Sequence, residues 1–347
     1  MGGPDGGSVR FDFCRQWSRW FSSLIGCGLH LFIIALLLTG KVDAVVLPQS
    51  SGGLAAGGEA GMASDEFASS DLGELIRHWT DAFQRDHAGA AILLRPIGSF
   101  ASPAAFDETH GNLMYVGYRL NPEAIGVFAK KYGYKPTPIR VALDTVAIFV
   151  HRDNPIRGMT LAQVGSVFSS SPRCKDVQQA ATWGLLGLTG EWRARPLQIL
   201  GVGPASDVHD YFREQALCGG ELSNFVRTQP DSASVVRAVN GALNAIGYGR
   251  GGASTKSVKT VPLAVEAKMP FVVPTERNTV NGAYPLTRFL HIYINKRPDR
   301  SLTEEQADFV RFVLSGKGQQ IVRQSGYIPV TEDMAKTELT FIFTKQF

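Results

Sequence analysis

The sequence predicts an α/β protein folded as two lobes with mostly parallel sheets, and three observations carry that expectation. Short β-branched runs alternate with segments of helical apolar spacing over about 300 residues. Without its first 44 residues the chain still has 303, more than one compact core usually holds. The run Arg140–His151 is apolar on both faces, like a strand covered on either side.

The amino terminus reads as an address. Arg10, Arg15 and Arg19 precede an apolar run from Leu29 to Leu38, with Val42-Asp43-Ala44 beyond. A basic segment, an apolar segment of about ten residues and a small-residue exit make a secretory signal, expected over residues 1–44. The run is shorter than the ~20 apolar residues of a spanning helix; an uncleaved anchor over Leu24–Leu38 is the alternative. Leu24-Ile25-Gly26-Cys27 lacks the preceding apolar stretch of a lipidation box and is not read as one. Residues 45–68 are rich in Gly, Ala and Ser, so a flexible leader is expected.

Beyond the leader, Leu72, Leu75, Ile76, Trp79 and Phe83 recur at helical spacing from Asp71 to about His87. Ser69, Ser70 and Asp71 are N-cap candidates for that helix. Ala91–Arg95 reads as a short strand, and Pro122–Tyr132 as a helix ended by Gly133. Arg140–His151 is the buried strand, stopped by Asp153-Asn154-Pro155. Thr160–Phe168 is a helix, Trp183–Trp192 a Gly-rich loop, Leu197–Gly201 a strand. Asp207–Leu217 and Ser234–Leu243 are helices, and Arg288–Asn295 is a strand. Ser301–Gln324 is a long helical pattern broken near Gly316 and Gly318.

Composition narrows the function. Lys and Arg number 35 against 31 Asp and Glu, with no basic block interleaved with aromatic residues, which speaks against a nucleic-acid partner. No HExxH, nucleophile elbow or Walker loop occurs, and Gly247–Gly252 lacks the lysine of a phosphate loop. Ser206, His209 and Asp210 are close in sequence, but residues three apart at one helix start do not form a Ser–His–acid line. His209 reads as an exposed helical residue, and Trp183 and Trp192 as packing for their loop. An enzyme is not expected, nor a cofactor or metal. Cys14 and Cys27 fall in the targeting segment. Cys174 and Cys218 remain, either to pair in an oxidising compartment or to stay as two small buried residues.

Several stretches together resemble the phosphate-binding proteins that feed ATP-driven bacterial transporters. They are Lys130–Val150 with Asp153-Asn154-Pro155 and Leu161–Phe168, Thr182–Trp192, Asp231–Val239 with Ile246-Gly247-Tyr248, Tyr284–Asn295 and Phe309–Pro329. The resemblance covers about Ser69 to Val330 and implies a periplasmic-binding-protein-like fold closing on an oxyanion. It implies one lobe from residues 69–152 and 248–347 and another from 153–247. Crossings would lie near His151–Asn154 and Ile246–Gly249. It further implies a periplasmic or otherwise exported monomer, with phosphate or an analogue as ligand and a transporter permease as partner.

By motif, Ser69, Ser70, Ser99, Arg119 and Ser206 would face the anion, since hydroxyl turns that open helices present free N–H donors. The same motifs depart from the family. Asp71 stands for a threonine, and Tyr118 for the serine before Arg119. Within Gly201–Phe212, Val202 stands for an arginine, Asp207 for a glycine and Val208 for a threonine. Three readings therefore stay open: an oxyanion grip rearranged around Arg119 or Arg288, a different ligand, or a ligand-free envelope scaffold.

Overall fold

The computed structural model describes residues 71–87, 94–96, 113–170, 178–204 and 206–344. The expected signal, the leader, Ser69, Ser70, Ser99 and Cys174 lie outside them.

Helix α1 (Asp71–Asp86) buries Leu72, Leu75, Ile76, Trp79, Ala82 and Phe83 along one face, as its spacing predicts. Strands β1 (Leu94–Pro96) and β2 (Leu113–Val116) pair in parallel. Helix α2 (Pro122–Tyr132) starts at Asn121, whose Oδ1 accepts from the Ala124 N–H at 2.8 Å, and stops at Gly133. Gly133 has φ 80°, a left-handed turn that suits glycine.

Strand β3 (Thr137–His151) is 15 residues long, about 50 Å at ~3.3 Å per residue. Strand β4 (Met159–Thr160) leads into α3 (Leu161–Phe168), started by a reciprocal Thr160–Gln163 capping box. The Gly-rich loop packs Trp183 edge-on against Trp192, ring centroids 5.9 Å apart.

Then come β5 (Gln198–Val202), α4 (Asp207–Ala216), β6 (Arg227–Gln229), α5 (Ser232–Asn240) and β7 (Ala245–Arg250). Short elements follow: β8 (Val258–Thr260), β9 (Leu263–Ala264) and α6 (Glu276–Val280). Strand β10 (Thr287–Ile294) precedes α7 (Glu304–Leu314), α8 (Gly316–Gln324), β11 (Ile328–Pro329) and α9 (Glu332–Thr344). Ser315 ends α7 and caps α8, so the long helical pattern breaks there.

The main sheet runs β1-β2-β10-β3-β7-β5-β6, with β8 and β11 also on β3. Its pairing is mixed rather than mostly parallel. β5 runs parallel to β6 and β7, but β3 is antiparallel to β7, β8, β10 and β11, and β10 to β2. The antiparallel ladders centre on β3 and β10, which lie side by side in the middle of the sheet.

Buried apolar side chains separate into two large clusters on either side of that pair. One takes β3 up to Leu143, then resumes at Leu290 with α1, α7 and α8. The other takes β3 from Val146 and ends at Leu286, enclosing α3, α4, α5, β5 and β7. A smaller cluster packs Phe128 of α2 on Met114, Val116 and Tyr293. The clusters thus change over at Asp144–Thr145 and Thr287–Phe289. Within β3 the changeover falls at the polar pair Asp144–Thr145.

Candidate functional site

At the changeover a charged pair stands inside the sheet. Arg288 on β10 is the cross-strand partner of Asp144 on β3. Its Nε and Nη2 donate to Asp144 Oδ2 at 3.1 and 2.8 Å. The side chains are only 1% and 2% exposed, so neither charge is tolerable without the other.

The remaining guanidinium nitrogen reaches across to α4. Arg288 Nη1 donates to Asp207 Oδ2 at 2.9 Å and to the Asp207 carbonyl oxygen at 3.1 Å. Burial works against the charge of Arg288, but the Asp207 and Asp144 carboxylates outweigh it and hold the group above its ordinary value. The ring of Tyr211 lies 5.7 Å from the guanidinium carbon, and its hydroxyl donates to the Thr287 carbonyl at 2.6 Å.

Gly117, just past β2, completes this arrangement. A Cβ there would lie 1.6 Å from Asp207 Oδ2 and 2.9 Å from Arg288 Nη1. The absent side chain is therefore the space the carboxylate fills, and any other residue would expel it.

The sequence-predicted residues distribute unevenly around this point. Ser206 caps α4, its Oγ accepting from the Val208 N–H at 3.2 Å, one residue before Asp207. Arg119 is exposed and forms no ion pair with any described residue. It lines a cavity of about 860 Å³ together with Arg140, Asp210, Arg213, Arg288 and His291. Ser206 is not among the residues lining that cavity. Val202 and Val208 are both buried in the apolar cluster, so neither motif position presents a side chain to the cavity.

Two polar atoms along the cavity are buried without a hydrogen-bond partner, Asp210 Oδ2 and His291 Nδ1. Burial pushes the Asp210 carboxyl up to about 7, with Asp207 adding to the rise. Burial pushes the His291 imidazole down to about 4. Arg140, on the far wall, pairs with Glu338 of α9.

His209 is buried, not exposed as its sequence context suggests. Its Nδ1 lies 3.1 Å from the Tyr248 hydroxyl, which donates to the Val202 carbonyl at 2.9 Å. Its position three before Phe212 and seven before Ala216, both buried, puts it on the inner face of α4. Cys218 is disulfide-bonded.

Asp144 and Gly117 escaped the sequence reading. A signal existed for the first. A lone carboxylate in the apolar strand 137–151 and a lone arginine in the apolar strand 287–294 each need a buried partner. Nothing in the sequence pattern marks Gly117, whose role comes from a residue 90 positions away in the chain.

Comparison with known proteins places this arrangement. The family model described as PBP superfamily domain matches residues 68–317. Over 268 residues the chain is 43% identical to the phosphate-binding protein PstS of Pseudomonas aeruginosa, covering 77% of this chain and 83% of that one. Two solved structures share the fold. A possible phosphate binding protein from Planctomyces limnophilus has TM-score 0.61 at 21% identity, covering 80% of this chain and 96% of its own. An ABC-type phosphate transport receptor from Vibrio cholerae has TM-score 0.61 at 17% identity, covering 75% and 97%. By the family model and the 43% identity, the chain belongs to the PBP superfamily, in the family of the phosphate-binding protein PstS.

Proposed function

We propose that this chain is an exported solute-binding protein that closes two lobes on an oxyanion, phosphate first, and delivers it to the permease of an ATP-driven transporter. One observation carries the reading: a guanidinium buried where the two apolar clusters meet, whose outward N–H already grips an anionic oxygen supplied from the opposite side. The 43% identical relative is itself named a phosphate-binding protein, which supports phosphate as the anion.

On this reading the lobes follow the apolar clusters, one from residues 145–287 and the other from 69–144 with 288–347. Ser69, Ser70, Ser99 and Ser206 supply hydroxyl and backbone donors, and Arg119 supplies charge at the rim. Residues 1–44 direct export, and Cys174 is the partner of Cys218.

Equilibrium dialysis of the exported protein against labelled phosphate, with a thermal-shift series in parallel, tests the reading. Saturable binding with a midpoint that rises with phosphate and not with sodium chloride is expected. A folded protein that shows no saturable uptake of phosphate at millimolar concentration sinks it.

A further inference from the structure

We propose that the Asp207 carboxylate is a tethered substitute for the ligand: it occupies the oxyanion position on Arg288, clasps the two lobes in the empty protein, and must be displaced for phosphate to bind. The inference rests on the oxyanion-binding reading above and adds what governs that site.

Three independent features converge on it. The carboxylate takes Nη1, the one guanidinium nitrogen that Asp144 does not engage, at 2.9 Å. Its oxygen occupies the space above Gly117 that no other residue would leave open. And it comes from the opposite lobe: Val208 and Phe212 root α4 in one cluster, while Gly117 directly follows β2, which buries Leu113 and Tyr115 in the other. An incoming anion approaching that outward nitrogen would need the space above Gly117, so the two oxygens compete for one position.

Charge accounting makes the exchange plausible at this depth. Arg288 and Asp144 neutralise each other, and Asp207 adds one negative charge. An anion arriving beside Asp207 would meet repulsion at contact distance, whereas a singly charged anion replacing it restores the same sum. Asp207 is 14% exposed against 1% for Arg288, so the carboxylate is the member of the pair able to swing towards solvent.

The distinction from an ordinary structural salt bridge lies in sign. Removing a structural partner from Arg288 would weaken everything; removing a competitor strengthens ligand binding. The test uses Asp207→Ala and the near-isosteric Asp207→Asn, each compared with the unmodified full-length protein. Phosphate affinity is measured by titration calorimetry and lobe closure by small-angle scattering without ligand.

Both variants are expected to bind phosphate at least about tenfold more tightly than the parent. Both are also expected to expand in the absence of ligand and to contract when it is added. Variants that fold, and whose affinity and scattering match the parent, overturn the clasp while leaving the phosphate reading intact. Weaker binding in both variants also overturns it, since Asp207 would then be a ligand contact. If neither parent nor variant binds phosphate, the phosphate reading fails and scattering alone decides: expansion upholds the clasp, an unchanged profile overturns it.

Discussion

Asp144 and Arg288 face each other on adjacent antiparallel strands at the point where one apolar cluster gives way to the other. The pair explains why two fully buried charges persist in two largely apolar strands. A guanidinium with fixed geometry at this junction serves both lobes, since its third nitrogen is left to face α4.

Removing one member should therefore cost far more than removing both. Asp144→Ala leaves a buried guanidinium with a single carboxylate, and a loss of about 3–5 kcal/mol in urea unfolding is expected. Asp144→Leu with Arg288→Met substitutes an apolar pair of similar volume and should recover most of that loss. Equal destabilisation by the single and double variants would contradict the assignment.

How much of this was legible beforehand depended on whether a signal was local. Helices α1, α2 and α3 could be read because apolar spacing and caps such as Asn121 and Thr160 act within a few residues. The helix α9 could not, because one of its three buried positions is the charged Glu338, held by Arg140 about 200 residues away. Within β3 the polar pair Asp144–Thr145 stands where the clusters divide, a local mark whose meaning comes only from tertiary packing. In the site, Ser206 and Arg288 had been singled out, whereas Gly117 acquires its role solely from Asp207.

His209 illustrates a histidine whose task is packing. With Tyr248 stacked on Phe212 at 3.9 Å and its hydroxyl shared between His209 and the Val202 carbonyl, the group forms a closed polar link in an apolar core. Tyr248→Phe should remove the hydroxyl that lies between His209 and the Val202 carbonyl and cost about 1–3 kcal/mol. Phosphate titration of that variant should remain close to the parent. A binding loss without a stability loss would instead place Tyr248 at the ligand.

Cys218, next to the buried Leu217, is held in a disulfide. Reduction, or Cys218→Ser, is expected to lower stability by about 2–5 kcal/mol. Peptide mapping under non-reducing conditions should recover Cys218 linked to Cys174. Recovery of Cys174 as a free thiol would show a different pairing.

The cavity groups Asp210 and His291 should give opposing pH dependences. Asp210 titrates at about 7 in the folded chain against 3.8 as an unperturbed carboxyl. Its folded state holds the proton more tightly, so this group stabilises below about pH 4 and that contribution is lost as pH rises to about 7. His291 titrates at about 4 when folded against 6.5 when free. The unfolded chain takes up that proton first, so its contribution is full above about pH 6.5 and is lost as pH falls to about 4. Between these limits the two slopes run against each other in the parent. Asp210→Asn should expose the histidine slope, with denaturation midpoints falling on acidification from pH 6.5 to 4. His291→Gln should expose the opposite slope, with midpoints rising over the same interval. Urea midpoints for parent and variants across pH 4 to 7.5 provide the check. Parallel curves for all three proteins would mean that neither group is held in its unpartnered state by burial.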